Sequence, residues 1–327
     1  MFAVVVTQPG GPEVLDLQQV PDPDISADEI LVDVKATALN RADILQREGR
    51  YPPPIWADQS ILGLEMAGLV VQIGTRVNTV TVGQKVFGLL SGGGYAQKVA
   101  LNERMALPMP EGMTFIQAAS IPEVFFTAYD ALFNQATLKM GESILIHAGG
   151  SGVGTAAIQL AVQAGSIAFT TVGSREKAEK AAGLGASTVI NYREKDFLEA
   201  LLEQTDGAGV DVILDVVGAP YWERNLKALS IGGRLILVGS LGGGTLETNL
   251  GLLSPKRLRV HGTVLRARPL EEKILLTKQI EKYVLPMLTS GRIKPIVDKV
   301  FDFRDAAAAH KYLEENRNFG KVVLSVE

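Results

Sequence analysis

The segment His147-Ala-Gly-Gly-Ser-Gly-Val-Gly154 carries the most chemistry in its spacing. Its glycines allow a tight turn and let backbone amides approach a pyrophosphate, which then sits at the positive end of the helix that follows. An apolar run, Ser143–His147, precedes the turn, and an amphipathic stretch, Thr155–Ala164, follows it. A strand on one side and a helix on the other make a weak glycine pattern into a dinucleotide fingerprint. In the register Gly149-x-Ser151-x-x-Gly154, serine replaces the usual middle glycine. Ser151 is still small, and its hydroxyl can donate to phosphate. Gly150, Gly152 and Val153 complete the expected phosphate contacts. The bland alternative is a glycine-rich turn that holds no ligand.

The next apolar run discriminates between dinucleotides. NAD sites usually end this second strand with an acid that holds the adenosine ribose hydroxyls. Here the tip reads Thr171-Val-Gly-Ser-Arg-Glu-Lys177, with no acid at its end. Gly173 makes room, Ser174 offers a hydroxyl, and Lys177 stands about one helical turn further on with Arg175 nearby. This set suits a 2′-phosphate and hence NADPH. Tyr192, at the tip of the following strand, could cover the adenine or reach that phosphate. Two alternatives stay open: Ser174 could simply cap the helix beside solvated charges, and Glu176 could serve NAD if the strand ended later.

The elements that position these residues alternate. Strands at Ser143–His147, Ile167–Val172, Ser187–Asn191, Val210–Val216, Arg234–Val238 and Arg259–Val264 are separated by helices at Thr155–Ala164, Arg175–Leu184, Asp196–Gln204 and Tyr221–Leu229. Uniformly apolar strands at this spacing predict a doubly wound parallel sheet covered on both faces. Before it, β-branched runs broken by Gly and Pro (Met1–Thr7, Glu29–Ala38, Ala67–Ile73, Lys85–Leu90, Tyr95–Ala100) predict an irregular, mainly antiparallel domain. After it come one helix over Leu270–Leu288, a strand Val297–Phe301, a helix Arg304–Asn316 and a final strand Lys321–Val326. With 327 residues, two domains are expected.

Composition excludes several functions. There is no cysteine, which removes disulfides, thiolate nucleophiles and cysteine-ligated zinc. The three histidines, His147, His261 and His310, are far apart, so no His-rich metal centre is expected and no metal is assigned. His147 and His310 read as satisfied core residues. A net charge of −4 gives no reason to expect nucleic acid or an anionic membrane as a partner. The start lacks a basic n-region, so a cytoplasmic protein is the expectation.

The run Gly141-Glu-Ser-Ile-Leu-Ile-His-Ala-Gly-Gly-Ser-Gly-Val-Gly-Thr-Ala-Ala-Ile-Gln159 resembles the signature of the quinone oxidoreductase, or zeta-crystallin-like, branch of the medium-chain dehydrogenase/reductase superfamily. Ala38–Arg47, Gly63-Leu-Glu65, Gln117–Pro122 and Leu214–Gly218 fit as well, so the likeness covers essentially the whole chain. It extends to tumour-suppressor-inducible NADPH quinone oxidoreductases, which also carry serine within the glycine turn. The resemblance implies a GroES-like β-rich catalytic domain over 1–123 and 266–327, and a Rossmann NADPH-binding domain over 124–265 inserted between its two parts. Zinc alcohol dehydrogenases of the superfamily carry a cysteine where this chain has Asn40 and a histidine where it has Leu64. Neither residue replaces those ligands, so a zinc-independent reaction is implied, hydride passing from NADPH to a quinone, including ortho-quinones. Asp43 and Glu65 are read as structural.

In that family the nicotinamide lies between the domains. The matching positions here are Asn40, Tyr51 and Thr127. Asn40 would hold the nicotinamide ribose or orient the acceptor, and Tyr51 would stack on a planar acceptor and donate to its developing oxyanion. Thr127 would open a helix and touch the cofactor with its hydroxyl. Their ordinary readings are a turn residue, a half-buried ring and a helix cap. Strand ends supply the further expected cofactor contacts Val217, Gly218, Gly239, Ser240, Leu241, Leu265 and Arg266, with Asn318 near the end of the chain. The rival readings are an NADPH-dependent alkenal, enone or enoyl-thioester double-bond reductase and, from another class, a weakly catalytic NADPH-binding protein of crystallin type. The partners expected are a small quinone or enone and a second copy of the chain, joined through the edge strand Arg259–Val264 into a homodimer.

Overall fold

The computed structural model describes residues 1–54 and 60–326. Residues 55–59 and Glu327, which fall within the span expected for the first domain, lie outside the described residues. The chain divides into two compact units, one formed by Met1–Phe126 with Leu265–Glu327 and the other by Thr127–Val264.

In chain order the strands of the first part are β1 (Phe2–Val6), β2 (Leu15–Gln19), β3 (Glu29–Ala38), β4 (Glu65–Ile73), β5 (Lys85–Leu89), β6 (Lys98–Asn102) and β7 (Ala106–Pro108). The middle part contributes β8 (Ser143–Ile146), β9 (Ile167–Val172), β10 (Thr188–Asn191), β11 (Val210–Asp215), β12 (Leu229–Leu237) and β13 (Arg259–Gly262). The return segment adds β14 (Val297–Asp302) and β15 (Lys321–Ser325).

In the first unit, strand order β14-β15-β3-β4-β5-β7, with β6 also on β3, makes the GroES-like sheet. Its pairs are antiparallel apart from β14 with β15. Val323 pairs with Ala38, so the chain's last strand completes a sheet begun near its start. The long β3 is buried along much of its length, with Ile30, Val32 and Val34 in the core.

The second unit is the expected Rossmann sheet. Its six strands run in the order β10-β9-β8-β11-β12-β13, and every pair is parallel. Ile144, Leu145, Ile146, Val212, Ile213 and Leu214 are buried, as strands covered on both faces must be. β13 lies at the edge, where the sequence pattern places it.

Three local readings need correction. Thr127 does not open a helix: the helix spans Pro122–Tyr129, because proline, with its fixed φ and missing N–H, suits a first turn. The stretch Leu270–Leu288 is not one regular α-helix. α-Helical Leu270–Gln279 passes through a π-turn at Ile280–Val284 into Leu285–Thr289. Pro286 lacks the N–H that would close the regular bond at that point. The strand read at Tyr95–Ala100 lies at Lys98–Asn102, since Tyr95 is engaged in turn bonds, donating from its N–H to the carbonyl of Leu62 at 2.9 Å.

Candidate active site

The glycine-rich turn of the second unit is built by steric exclusion. A Cβ on Gly149 would lie 2.1 Å from Thr170 Oγ1, and one on Gly154 would lie 2.3 Å from the carbonyl oxygen of Ala148. Both glycines are therefore required by close approach of the helix to β8 and β9. Ala148 itself adopts a φ of 56°, an uncommon left-handed conformation for a residue with a Cβ. Ser151 caps the helix Gly152–Gln163, its Oγ accepting from the N–H of Gly154 at 3.0 Å. The serine that breaks the glycine pattern thus fixes the helix start and keeps its own O–H as a donor. The N–H groups of Gly152 and Val153 in the same first turn have no acceptor among the described residues, so the cradle fits a pyrophosphate.

Beneath the turn, a buried chain of hydrogen bonds ties three strand ends together. His147 Nε2 donates to Asn225 Oδ1 at 2.8 Å, and its Nδ1 accepts from Thr171 Oγ1 at 3.0 Å, the tautomer following from the partners. Asn225 Nδ2 donates to Asp215 at 3.1 Å, and Asp215 accepts the N–H of Val217 at 2.6 Å and that of Gly218 at 3.2 Å. His147 is a satisfied core residue, as its position beneath the turn suggests. Burial is the main cause that lowers its pKa from 6.5 to about 4, while burial raises that of Asp215 to about 6. Because the folded value of His147 lies below the ordinary one, its contribution to stability is complete above pH 6.5 and is lost as pH falls towards 4. The stability gap between the natural protein and His147→Gln, measured by urea unfolding, should therefore narrow over that interval. A constant gap would mean that His147 does not titrate there.

At the end of β9, Ser174 caps the helix Arg175–Ala182, its Oγ accepting the N–H of Lys177 at 3.2 Å. The capping alternative is correct for this oxygen, while its proton stays available to a ligand. Tyr192 lies over Gly173, its hydroxyl 2.5 Å from where a Cβ would stand, so a larger residue there would displace the ring. Gly173, Ser174, Lys177 and Tyr192 therefore form one local group. Arg175 instead pairs with Glu179 at 3.2 Å on the exposed face. Glu176, the acid in this helix's first turn, is exposed and pairs with Lys180 at 2.7 Å.

The loops after β11 and β12 lock together. Gly242 donates to the carbonyl of Val217 at 2.8 Å, Leu241 to that of Val216 at 3.1 Å, and Gly218 has a φ of 86°, with the Gly243 carbonyl oxygen 2.7 Å and the Ser240 Cα 2.9 Å from where a Cβ would stand. A cavity of about 450 Å³ is bordered here by Gly218, Gly239, Ser240, Thr263 and Val264. Three of the expected cofactor contacts are thus brought together at the strand ends.

The remaining expected residues, apart from Thr127, belong to the first unit. Asn40 caps the helix Arg41–Arg47, with its N–H donating to Asp43 at 2.7 Å. Its amide nitrogen donates to Glu65 at 2.8 Å, and its oxygen accepts from Lys321 at 2.6 Å. Lys321 in turn pairs with Glu65 at 2.7 Å, and all three side chains are buried. Lys321 was not among the candidate residues; only its distant pairing reveals it. Asp43, buried and bonded to the N–H groups of Asn40 and Gly63, is structural, and its pKa is raised to about 6 by burial. His310 sits in the core between Arg47 and Tyr95 at 3.1 and 3.2 Å. Asn318 holds a local turn, donating to the carbonyl of Gly320 at 2.7 Å.

Leu265 and Arg266 are buried in this unit as well. The Arg266 guanidinium donates to the Ser91 carbonyl at 2.9 Å and to Gln46 at 2.6 Å, and lies 5.5 Å from the centre of the Tyr51 ring. Its Nη1 is buried with no partner among the described residues. Burial is the main cause that raises the pKa of Tyr51 and lowers that of Arg266.

Comparison with known proteins agrees with this architecture. Residues 26–111 match an alcohol dehydrogenase GroES-like domain, and residues 184–324 match a zinc-binding dehydrogenase family. Quinone oxidoreductase 1 of Escherichia coli is 34% identical over 322 residues, which span 96% of each chain. The chain belongs to the medium-chain dehydrogenase/reductase superfamily. It is an oxidoreductase with a GroES-like and a Rossmann part. Among solved structures it is similar to an Escherichia coli quinone oxidoreductase complexed with NADPH (33% identity, TM-score 0.90, 100% of both chains). It is also similar to the CurK enoyl reductase (29% identity, TM-score 0.88, 100% of this chain and 99% of the other). The zinc in one family description does not fit the donor set here. Among the described residues no group of three His, Asp or Glu side chains could hold a metal ion, and Glu65 faces the ammonium of Lys321. Among them, too, no helix is long and apolar enough to cross a membrane.

Proposed function

We propose that this protein reduces quinones, taking hydride from NADPH. The observation that carries the reading is the pairing of Tyr51 with the buried Arg266, whose Nη1–H is unengaged among the described residues. Reduction of a quinone leaves negative charge on oxygen, and a phenol O–H beside a desolvated guanidinium is suited to hold it. When bound, NADPH supplies the hydride. Gly149 to Gly154 would hold its pyrophosphate, Gly173, Ser174, Lys177 and Tyr192 its 2′-phosphate, and Val217, Gly218, Gly239, Ser240 and Leu241 would border its nicotinamide half. Asn40, pinned by Glu65 and Lys321, is a rigid neighbour for ribose or acceptor.

The likeness to an enoyl reductase favours a second reading, reduction of an enone or enoyl thioester, since an enolate also carries its charge on oxygen. Steady-state turnover with an ortho-quinone, a para-quinone and a short 2-alkenal separates the two. Faster turnover of the quinones is expected; preference for the alkenal overturns it. The cofactor site has its own check. Lys177→Ala should raise the NADPH KM by roughly 10- to 100-fold, the loss of one charge-assisted phosphate contact, and leave that for NADH unchanged. Equal effects on both cofactors would remove Lys177 from the phosphate site. A homodimer through β13, an exposed edge, is part of the same reading, and sedimentation equilibrium tests it.

A further inference from the structure

The geometry points to a second binding site, in the first unit, that takes an aliphatic carboxylate against Lys273. A cavity of about 810 Å³ lies within this unit, in the size range of small-molecule sites. Its walls are largely apolar, with Leu89, Leu90, Val99, Leu101, Met105 and Leu270 facing it. Neither Asn40 nor Tyr51 lines it.

The charges around it are unequally satisfied. On one side the N-terminal amine and Lys98 both pair with Asp22. Glu29 there is engaged by the N–H and hydroxyl of Ser26 at 2.8 and 2.7 Å. On the other side Lys273 is only 6% exposed and donates to Ser91 Oγ at 2.6 Å. An ammonium has three N–H donors. Among the described residues no carboxylate reaches Lys273 at ion-pair distance; Glu123 acts on it only from further away.

A second buried cation worsens the imbalance, because Arg266 is held on the carbonyl of the same Ser91. Burying one unpaired cation is costly, and burying two on one residue adds their repulsion. An anion beside Lys273 removes that penalty. The Nζ–H groups and the Ser91 hydroxyl proton match the two oxygens of a carboxylate, and the apolar walls match an alkyl chain.

The test is calorimetric titration of the full-length protein, with NADPH present, using decanoate and, separately, 1-decanol. Decanoate should bind more tightly than decanol. Lys273→Met should weaken decanoate by about tenfold or more and leave decanol unchanged, as expected for loss of one charged hydrogen bond. Lys273→Arg should keep most of the affinity, and Lys98→Gln should keep all of it. Circular dichroism melting checks that each variant is folded, and Ser91→Ala, weakening decanoate several-fold, stands in if Lys273→Met is not. Equal binding of acid and alcohol, no binding of either, or loss in Lys98→Gln alone overturns the assignment.

Discussion

Arg266→Met is expected to lower kcat with a quinone by roughly 100- to 1,000-fold, the usual cost of removing one preorganised donor to a developing oxyanion. Its NADPH KM should stay within about twofold of the natural value if the guanidinium serves the acceptor rather than the cofactor. The same variant should not lose stability. Arg266 is only 4% exposed and, among the described residues, has no carboxylate at ion-pair distance and no partner for Nη1, so an apolar side chain of similar volume removes a desolvation cost. Lower kcat with an unchanged or higher Tm is a combination that a structural arginine would not produce. A rise in NADPH KM alone would instead return Arg266 to the cofactor contacts expected from its place after β13. Tyr51→Phe should lower kcat by about tenfold to a hundredfold, since the phenol is one donor of the pair.

The second large effect concerns folding. Lys321→Met leaves Glu65 buried without its ammonium and Asn40 without the donor to its oxygen. Breaking a buried pair by removing one partner costs about 3–5 kcal/mol. Guanidinium unfolding of the first unit, followed by a signal from that unit, should show a loss of this size. The double variant Lys321→Met with Glu65→Gln should recover much of it, because the charge left alone is then gone. If the single variant unfolds at the natural midpoint, the three side chains are not coupled as their geometry implies.

The Rossmann unit was legible because its signals are local. Gly149 and Gly154, the apolar strands and the residues at the tip of β9 lie within short spans whose spacing carries the meaning. What was not legible depends on distance along the chain. Lys321 meets Asn40 across 281 residues, and no periodicity near either one announces it. Arg266 follows an edge strand, so strand-end logic assigns it to the cofactor; burial, Ser91 and Gln46 place it within the first unit. Thr127 was misplaced because an apolar run hid the proline that starts its helix. Lys273 carried no sequence signal, as a lysine on an amphipathic helix is ordinarily solvated.

The pairing of β15 with β3 also sets a timetable for synthesis. The Rossmann unit is one continuous stretch, Thr127–Val264, so every strand of its sheet is translated before the return segment. The first unit must wait. Until Lys321–Ser325 emerges, β3 has no partner on that side over Ala36–Ala38, and Glu65 has no ammonium. Nascent chains halted just short of Lys321 would hold a complete Rossmann sheet and an incomplete first-unit sheet, whose exposed edge invites chaperones until β15 closes it.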